Sequence, residues 1–177
     1  MKPVVSIIIP LFNKEKYIIE TLTSVFHQEF QDWECLIVND GSNDNSLKLI
    51  QPFLNDSRFK LFDNLEKGAS AARNLGIRNS KGKYLQFLDA DDLLSCHKLK
   101  LQVQILEDDH SVDLITCKWG SFSNNNKEVF ENFPSYKNFF TIPDFLNSLA
   151  SSRGFFPLHA YLIRKSIIYM NMTAEEI

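Results

Sequence analysis

The sequence predicts an α/β domain built on a mostly parallel central sheet with helices on both faces. Three observations carry this. Short apolar, β-branched runs alternate with segments of helical periodicity at a steady pace through the first half of the chain. The runs are apolar throughout rather than alternating, as expected for strands covered on both sides. Polar clusters recur where these strands end, at Asn13, at 40–42 and at 89–92, and ligands of open parallel sheets bind beyond the carboxyl ends of the strands.

Taken in order, Val4 to Ile9 is the first strand, closed by Pro10, and 10–13 is a loop. From Lys14 to Gln28, Ile18, Ile19, Leu22, Val25 and Phe26 recur at helical spacing, with Asn13 as the expected N-cap. Trp33 to Asn39 (WECLIVN) is the second strand, and the turn cluster 40–44 leads into a helix running to Leu54. Phe59 to Phe62 is a third strand. The stretch 70–77 (SAARNLGI) is helical, with 79–82 as its stop. Tyr84 to Leu88 is the fourth strand, His97 to Leu106 a helix and Val112 to Lys118 a further strand. Beyond Trp119 the pattern weakens. The segment 121–126 is turn-like, 130–140 is aromatic-rich without a period, and Thr141 to Leu149 has a helix start with Pro143 and Asp144 in its first turn. His159 to Arg164 reads as a strand, with a helix from Lys165.

The 177 residues are enough for one domain with a sizeable core, and 44% apolar with 23% charged residues is ordinary for a globular protein. A net charge of −3 with scattered basic residues excludes a global field for nucleic acid. Cys35, Cys96 and Cys117 lack metal-site spacing and read as buried free thiols of a reducing compartment. Neither a signal peptide nor a membrane span is visible.

Three motifs carry chemistry. In YLQFLDADD an apolar strand runs straight into Asp89, Asp91 and Asp92. In an extended chain residues two apart share a side, so Asp89 and Asp91 can converge on a hard divalent cation that keeps positions open for phosphate oxygens. The alternative is an acidic helix N-terminus. In LIVNDGS, Asp40 ends a buried strand where it can accept from a nucleobase N–H or a ribose hydroxyl, or simply cap the next helix. In KGASAARN, small residues allow a helix to approach the sheet, and Arg73 can reach a phosphate or hold a carboxylate, or point to solvent. A dehydrogenase is disfavoured because no GxGxxG follows a strand. A nucleotidyltransferase is disfavoured because Pro10-Leu11-Phe12-Asn13 is not a Gly-rich, Arg-containing loop.

VSIIIPLFNKEKYI, ECLIVNDGSNDNS, KGASAARNLGI and YLQFLDADD, in this order, resemble the family 2 glycosyltransferases of GT-A fold, strongly over Val4 to Leu106 and weakly on to Lys165 through LHAYLIRKSII. The resemblance implies inverting transfer of a sugar from a nucleotide-sugar, UDP-linked for preference, to a hydroxyl of a glycan or lipid-linked acceptor, in bacterial surface polysaccharide or glycoconjugate synthesis. It implies Mn2+ or Mg2+ as cofactor. Pro10, Phe12 and Asn13 would flank the nucleoside, Asp40 would hold base or ribose, and Arg73 would lie near the nucleotide. Asp89 and Asp91 match the DxD motif, Asp91 as direct metal ligand and Asp89 nearer the ribose or a metal-bound water. Asp92 would support the site or touch the sugar. His159 is a further candidate near the metal or diphosphate, whereas His27, His97 and His110 read as structural or exposed and Trp119 as a packing residue.

The acid that deprotonates the acceptor lies, in this family, a dozen or more residues after a stretch like Arg164-Lys165-Ser166. The sequence ends at Ile177, with Glu175 and Glu176 slightly early for that role, so the base is expected beyond Ile177 in a longer chain. The expected organisation is a nucleotide-sugar-binding part at 1–118 and a partial acceptor-side part at 119–177. The expected location is cytoplasmic, with placement at the inner face of the membrane as an open alternative. A module that binds a nucleotide-sugar without catalysing transfer is the competing reading.

Overall fold

In a computed structural model the described residues are 2–121, 129–130 and 157–170. Six strands form one sheet: β1 (Val5–Leu11), β2 (Trp33–Asn39), β3 (Phe59–Asp63), β4 (Tyr84–Phe87), β5 (Leu114–Ile115) and β8 (Leu162–Arg164), in the order β3-β2-β1-β4-β8-β5. β6 (Gly120–Ser121) and β7 (Val129–Phe130) pair separately. β3, β2, β1 and β4 are mutually parallel, and β8 runs antiparallel to both β4 and β5. The expected mostly parallel sheet is therefore present, with one reversed strand toward the edge.

Alternation along β1 sorts the core into two layers. Ile7, Ile9 and Leu11 face α1 (Ile18–Phe26), α2 (Ser46–Leu49) and α4 (Lys98–Asp108), packing with Ile18, Leu22, Val25, Leu99, Val103 and Leu106. Ile8 faces the other way, with Leu36, Leu85, Phe87, Ile77 of α3 (Ala69–Asn79) and Ile168 of α5 (Ser166–Met170). Helices thus cover both faces. α3 lies close on β1 because its inner face is Ala72 and Gly76. A Cβ at Gly76 would run into the Ile8 side chain.

Several boundaries differ from the sequence expectation. β1 does not stop at Pro10 but continues to Leu11. The Ile8 carbonyl accepts from Leu88 N at 3.0 Å. By the alternation of backbone groups Pro10 then faces the same side as Ile8, where the β4 ladder has already ended at Phe87, so its missing N–H disrupts nothing. The first helix starts at Ile18 and not at Lys14. Asn13 does not cap it, being in the left-handed region at φ 51°, and 14–17 forms a turn. The expected long second helix is α2 followed by a 3-10 turn at Phe53–Asn55. The fifth strand shrinks from Val112–Lys118 to two residues, and His159 lies in a 3-10 turn (Leu158–Ala160) ahead of β8. Of the thiols Cys35 is buried, but Cys96 is exposed.

No helix among the described residues is long and apolar enough to cross a membrane. The turn expected at 122–126, most of the aromatic-rich stretch, the helix expected from Thr141, and Glu175 and Glu176 lie outside the described residues.

Candidate functional site

The exits of β1, β2 and β4 lie side by side at one end of the sheet, with β1 in the middle. Asp40 and Asp89 therefore share this end but follow β2 and β4, which β1 separates. Asp40 N is tied to Leu11 O at 2.8 Å, continuing the β1–β2 ladder past the strand.

Around Asp40 a polar shelf is built from backbone turns. Its two carboxylate oxygens each accept from Gly68 N at 2.9 Å, and Oδ1 also accepts from Asn64 Nδ2 at 2.7 Å. This fastens the loop into α3, whose Lys67 and Gly68 have φ of 50° and 102°. Asn39 donates to Asp63 Oδ1 at 2.8 Å and accepts from Ser42 N at 2.9 Å. Asn13 crosses to the same turn, donating through its backbone N–H to Ser42 Oγ at 3.2 Å and accepting from Asn43 N at 2.8 Å. Phe12 beside it is 54% exposed, and Pro10 is partly buried at the strand end. Pro10, Phe12, Asn13 and Asp40 are thus gathered on one shelf with a large apolar ring open to solvent.

The acidic turn sits across β1. The extended-chain argument for it does not hold. β4 ends at Phe87, and 89–92 is a turn closed by Asp92 N donating to Asp89 O at 3.0 Å. Each carboxylate meets a different element. Asp89 Oδ1 accepts from Arg73 of α3 at 2.6 Å, Asp91 Oδ2 from Lys14 of the β1–α1 loop at 2.6 Å, and Asp92 Oδ2 lies 2.6 Å from His159 Nδ1. Thr21 of α1 anchors the turn backbone, donating to Ala90 O at 3.0 Å. Asp89, Asp91 and Asp92 keep side-chain exposures of 44%, 38% and 35%, so all three are open to a ligand.

The charge pattern is that of a site in balance. The hydrogen bond to Asp91 holds the Lys14 ammonium above its ordinary pKa. Arg73 reaches Asp89 through one terminal nitrogen only, and its Nε is buried without an acceptor. A buried donor without a partner is uncommon and marks a place where an acceptor oxygen is wanted. Among the described residues no group of three or more His, Cys, Asp or Glu is arranged to hold a metal ion. The donor set is nonetheless all hard oxygen, and Asp91 already draws a cation, which fits a divalent ion of the Mn2+ or Mg2+ class.

All nine site residues singled out from the sequence, Pro10, Phe12, Asn13, Asp40, Arg73, Asp89, Asp91, Asp92 and His159, lie at this end of the sheet. Lys14, Asn64 and the backbone of Gly68 were missed. Lys14 had a visible signal, a cation one residue past a strand-exit loop. His27, His97 and His110 are exposed, as expected. Trp119 is partly buried.

The family model described as "Glycosyl transferase family 2" matches residues 6–169. The Escherichia coli protein named UDP-Glc:alpha-D-GlcNAc-diphosphoundecaprenol beta-1,3-glucosyltransferase WfgD is 36% identical over 128 residues, covering 71% of this chain and 49% of that one. The crystal structure of S. aureus TarS 1–349 in complex with UDP superposes with a TM-score of 0.68 at 25% identity, over 95% of this chain and 48% of that one. A Pyrobaculum calidifontis mannosyltransferase in complex with GDP-Man and Mn2+ has the same fold, with a TM-score of 0.68 at 20% identity, over 96% of this chain and 47% of that one. The chain spans about half, or less, of the length of the curated relatives it matches.

Proposed function

From the premise that this chain belongs to glycosyltransferase family 2, we propose that its strand exits bind a nucleoside-diphosphate sugar, UDP-linked for preference, for transfer of the sugar to an acceptor hydroxyl in bacterial polysaccharide synthesis. The observation that carries the reading is the turn 89–92, whose three carboxylates are each held by a group from a different element while staying open to solvent. The named activity of the E. coli relative and the UDP in the TarS complex support the donor class.

Asp40, with Phe12 and Asn13 beside it, would receive the nucleoside. The carboxylate keeps lone pairs beyond those used by Gly68 and Asn64, and the exposed Phe12 ring offers an apolar face to the base. Arg73 would offer its unpartnered Nε to a ribose or phosphate oxygen while keeping Asp89 oriented. Asp91, with Asp89 beside it, would hold the divalent cation, which when bound supplies charge neutralisation to the departing diphosphate. Lys14 would then be freed from Asp91 toward the diphosphate. Asp92 and His159 would border the sugar. The reaction is displacement at the anomeric carbon. The acceptor oxygen bonds to it, the bond to the diphosphate oxygen breaks with inversion, and the hydroxyl proton passes to a base. That base, the division into a donor part at 1–118 and an acceptor part at 119–177, and a cytoplasmic placement belong to the same proposal.

The test is calorimetric titration of UDP, GDP and their sugar conjugates into the chain, with and without Mn2+. UDP-sugar binding strengthened by Mn2+ is expected. Absence of binding by every nucleotide would refute the reading. Binding without any transfer, also by a longer chain carrying the acceptor region, would favour a nucleotide-sugar-binding module.

A further inference from the structure

Lys98 opens α4 with its side chain in the interior, 7% exposed, on the face of the sheet that carries Leu99 and Val103. Among the described residues it forms no ion pair. Its Nζ donates instead to Gln86 Oε1 of β4 and Gln102 Oε1 of α4, each at 2.5 Å. Both glutamines are buried. Their amide nitrogens donate onward to the backbone of the turn ahead of β8, Gln86 Nε2 to His159 O at 3.0 Å and Gln102 Nε2 to Ala160 O at 3.2 Å.

This wiring has a direction. A primary amide can present either its oxygen or its nitrogen to a neighbour, but an ammonium is donor-only. Lys98 therefore fixes both amides oxygen-inward, so that each NH2 group reaches the same two-residue stretch, that of Gln86 donating also to Phe87 O at 2.6 Å. That stretch needs holding, because the β4–β8 ladder pairs only Tyr84↔Arg164 and Leu85↔Ile163 and the chain then turns away. A buried ammonium is costly to desolvate, and burial pushes the Lys98 pKa down to about 8. Methionine or leucine would fill the space without that penalty, so the amine's presence points to a task beyond packing.

We propose that Lys98 is a positioning residue: through Gln86 and Gln102 it latches the 158–160 turn to the strand bearing the acidic turn and so sets His159 against Asp92. The role in donor binding rests on the reading above, whereas the latch itself does not. A neutral amine keeps two N–H donors, enough for both amide oxygens, but gains an acceptor lone pair, so it is the ammonium form that fixes both amides oxygen-inward.

The test combines amide hydrogen exchange by NMR with calorimetric titration of UDP-GlcNAc and Mn2+, on the whole 177-residue chain. The Ala160, Tyr161 and Cys117 amides, bonded to Pro157 O, Leu158 O and Ala160 O, report on the turn. In Lys98→Met their exchange is expected to accelerate at least tenfold relative to β1 and β2 amides. Gln102→Met, which severs one of the two connections and keeps the bulk, gives a smaller acceleration at the same amides and serves if Lys98→Met does not fold. UDP-GlcNAc affinity in Lys98→Met falls to that of His159→Ala, and the double variant binds no more weakly than His159→Ala alone. Uniform or unchanged exchange in both variants overturns the latch, and losses that multiply in the double variant overturn action through His159. Failure of the unaltered chain to bind any nucleotide sinks the donor reading and leaves the exchange data to judge the latch.

Discussion

Replacing Asp40 by Asn keeps the shape of the side chain and removes one acceptor oxygen and the charge. In the structure both oxygens of Asp40 accept from Gly68 N at 2.9 Å and Oδ1 accepts from Asn64 Nδ2 at 2.7 Å. In the variant the remaining oxygen can stay with Asn64, and the new NH2 then faces the Gly68 N–H, donor to donor. A hydrogen bond to a charged acceptor is worth about 1.5–3 kcal/mol and a neutral one about 0.5–1.5 kcal/mol, so the expected loss is about 1–1.5 kcal/mol. For a domain of this size that is a fall in Tm of about 2–6 °C. The loop at Lys67 and Gly68 already has φ of 50° and 102°, so its release should appear as faster exchange at the first amides of α3. The same lost charge should weaken UDP binding about tenfold. Circular dichroism melting reads the first effect and calorimetry the second. An Asp40→Asn chain with unchanged Tm would refute the claim that Asp40 fastens this loop, and unchanged UDP affinity would refute its role at the nucleoside.

Gly76→Ala should destabilise by about 1–3 kcal/mol through overpacking, since its Cβ meets the Ile8 side chain, and Ile8→Ala should cost less in the Gly76→Ala chain than in the parent; equal melting of Gly76→Ala and the parent would contradict the close α3–β1 approach. Lys98 gives a pH dependence of known sign. Its folded pKa of about 8 lies below the ordinary 10.5, so between these values the unfolded chain holds a proton that the folded chain has released, and stability rises with pH across that window. At about 1.4 kcal/mol per pH unit the gain is at most about 3 kcal/mol. The buried thiols of Cys35 and Cys117, whose pKa values burial pushes up, act oppositely at high pH; Cys35 cancels in the difference between the parent and Lys98→Met denaturation profiles, which then reports the lysine together with its charge coupling to Cys117. A difference that is flat from pH 8 to 10.5 would contradict its burial as an ammonium.

The layers of the fold were legible because they rest on local regularities. The runs VVSIII and WECLIVN can only be strands covered on both faces, and the helical period through Ile18, Leu22 and Val25 survives in the residues α1 buries. What was not legible depended on the third dimension. Pro10 stays within β1 because β4 ends early on that side, which no local rule contains. The acids 89–92 were readable as a group, but not that they form a turn sharing out Arg73, Lys14 and His159, whose sequence separations are 16, 77 and 67 residues. Lys98 was read only as part of a helix, because nothing in a period distinguishes a lysine that points inward to two glutamines from one that points to solvent.

The central claim is that the turn 89–92 and the Asp40 shelf form one metal-assisted nucleotide site, and the variant Asp91→Asn tests it most directly. It keeps the shape of the turn, removes the charge a hard cation requires and releases Lys14. Its fold should change little, because the Lys14–Asp91 pair is more than a third exposed on both sides and such pairs contribute at most about 1 kcal/mol. Calorimetric titration of UDP into the parent chain and into Asp91→Asn, each with and without Mn2+, is the measurement. The account predicts that Mn2+ strengthens UDP binding in the parent and has no effect in the variant, whose metal-free binding is kept or slightly improved. A Mn2+ enhancement of equal size in both chains would contradict Asp91 as the metal ligand and pass the role to Asp89.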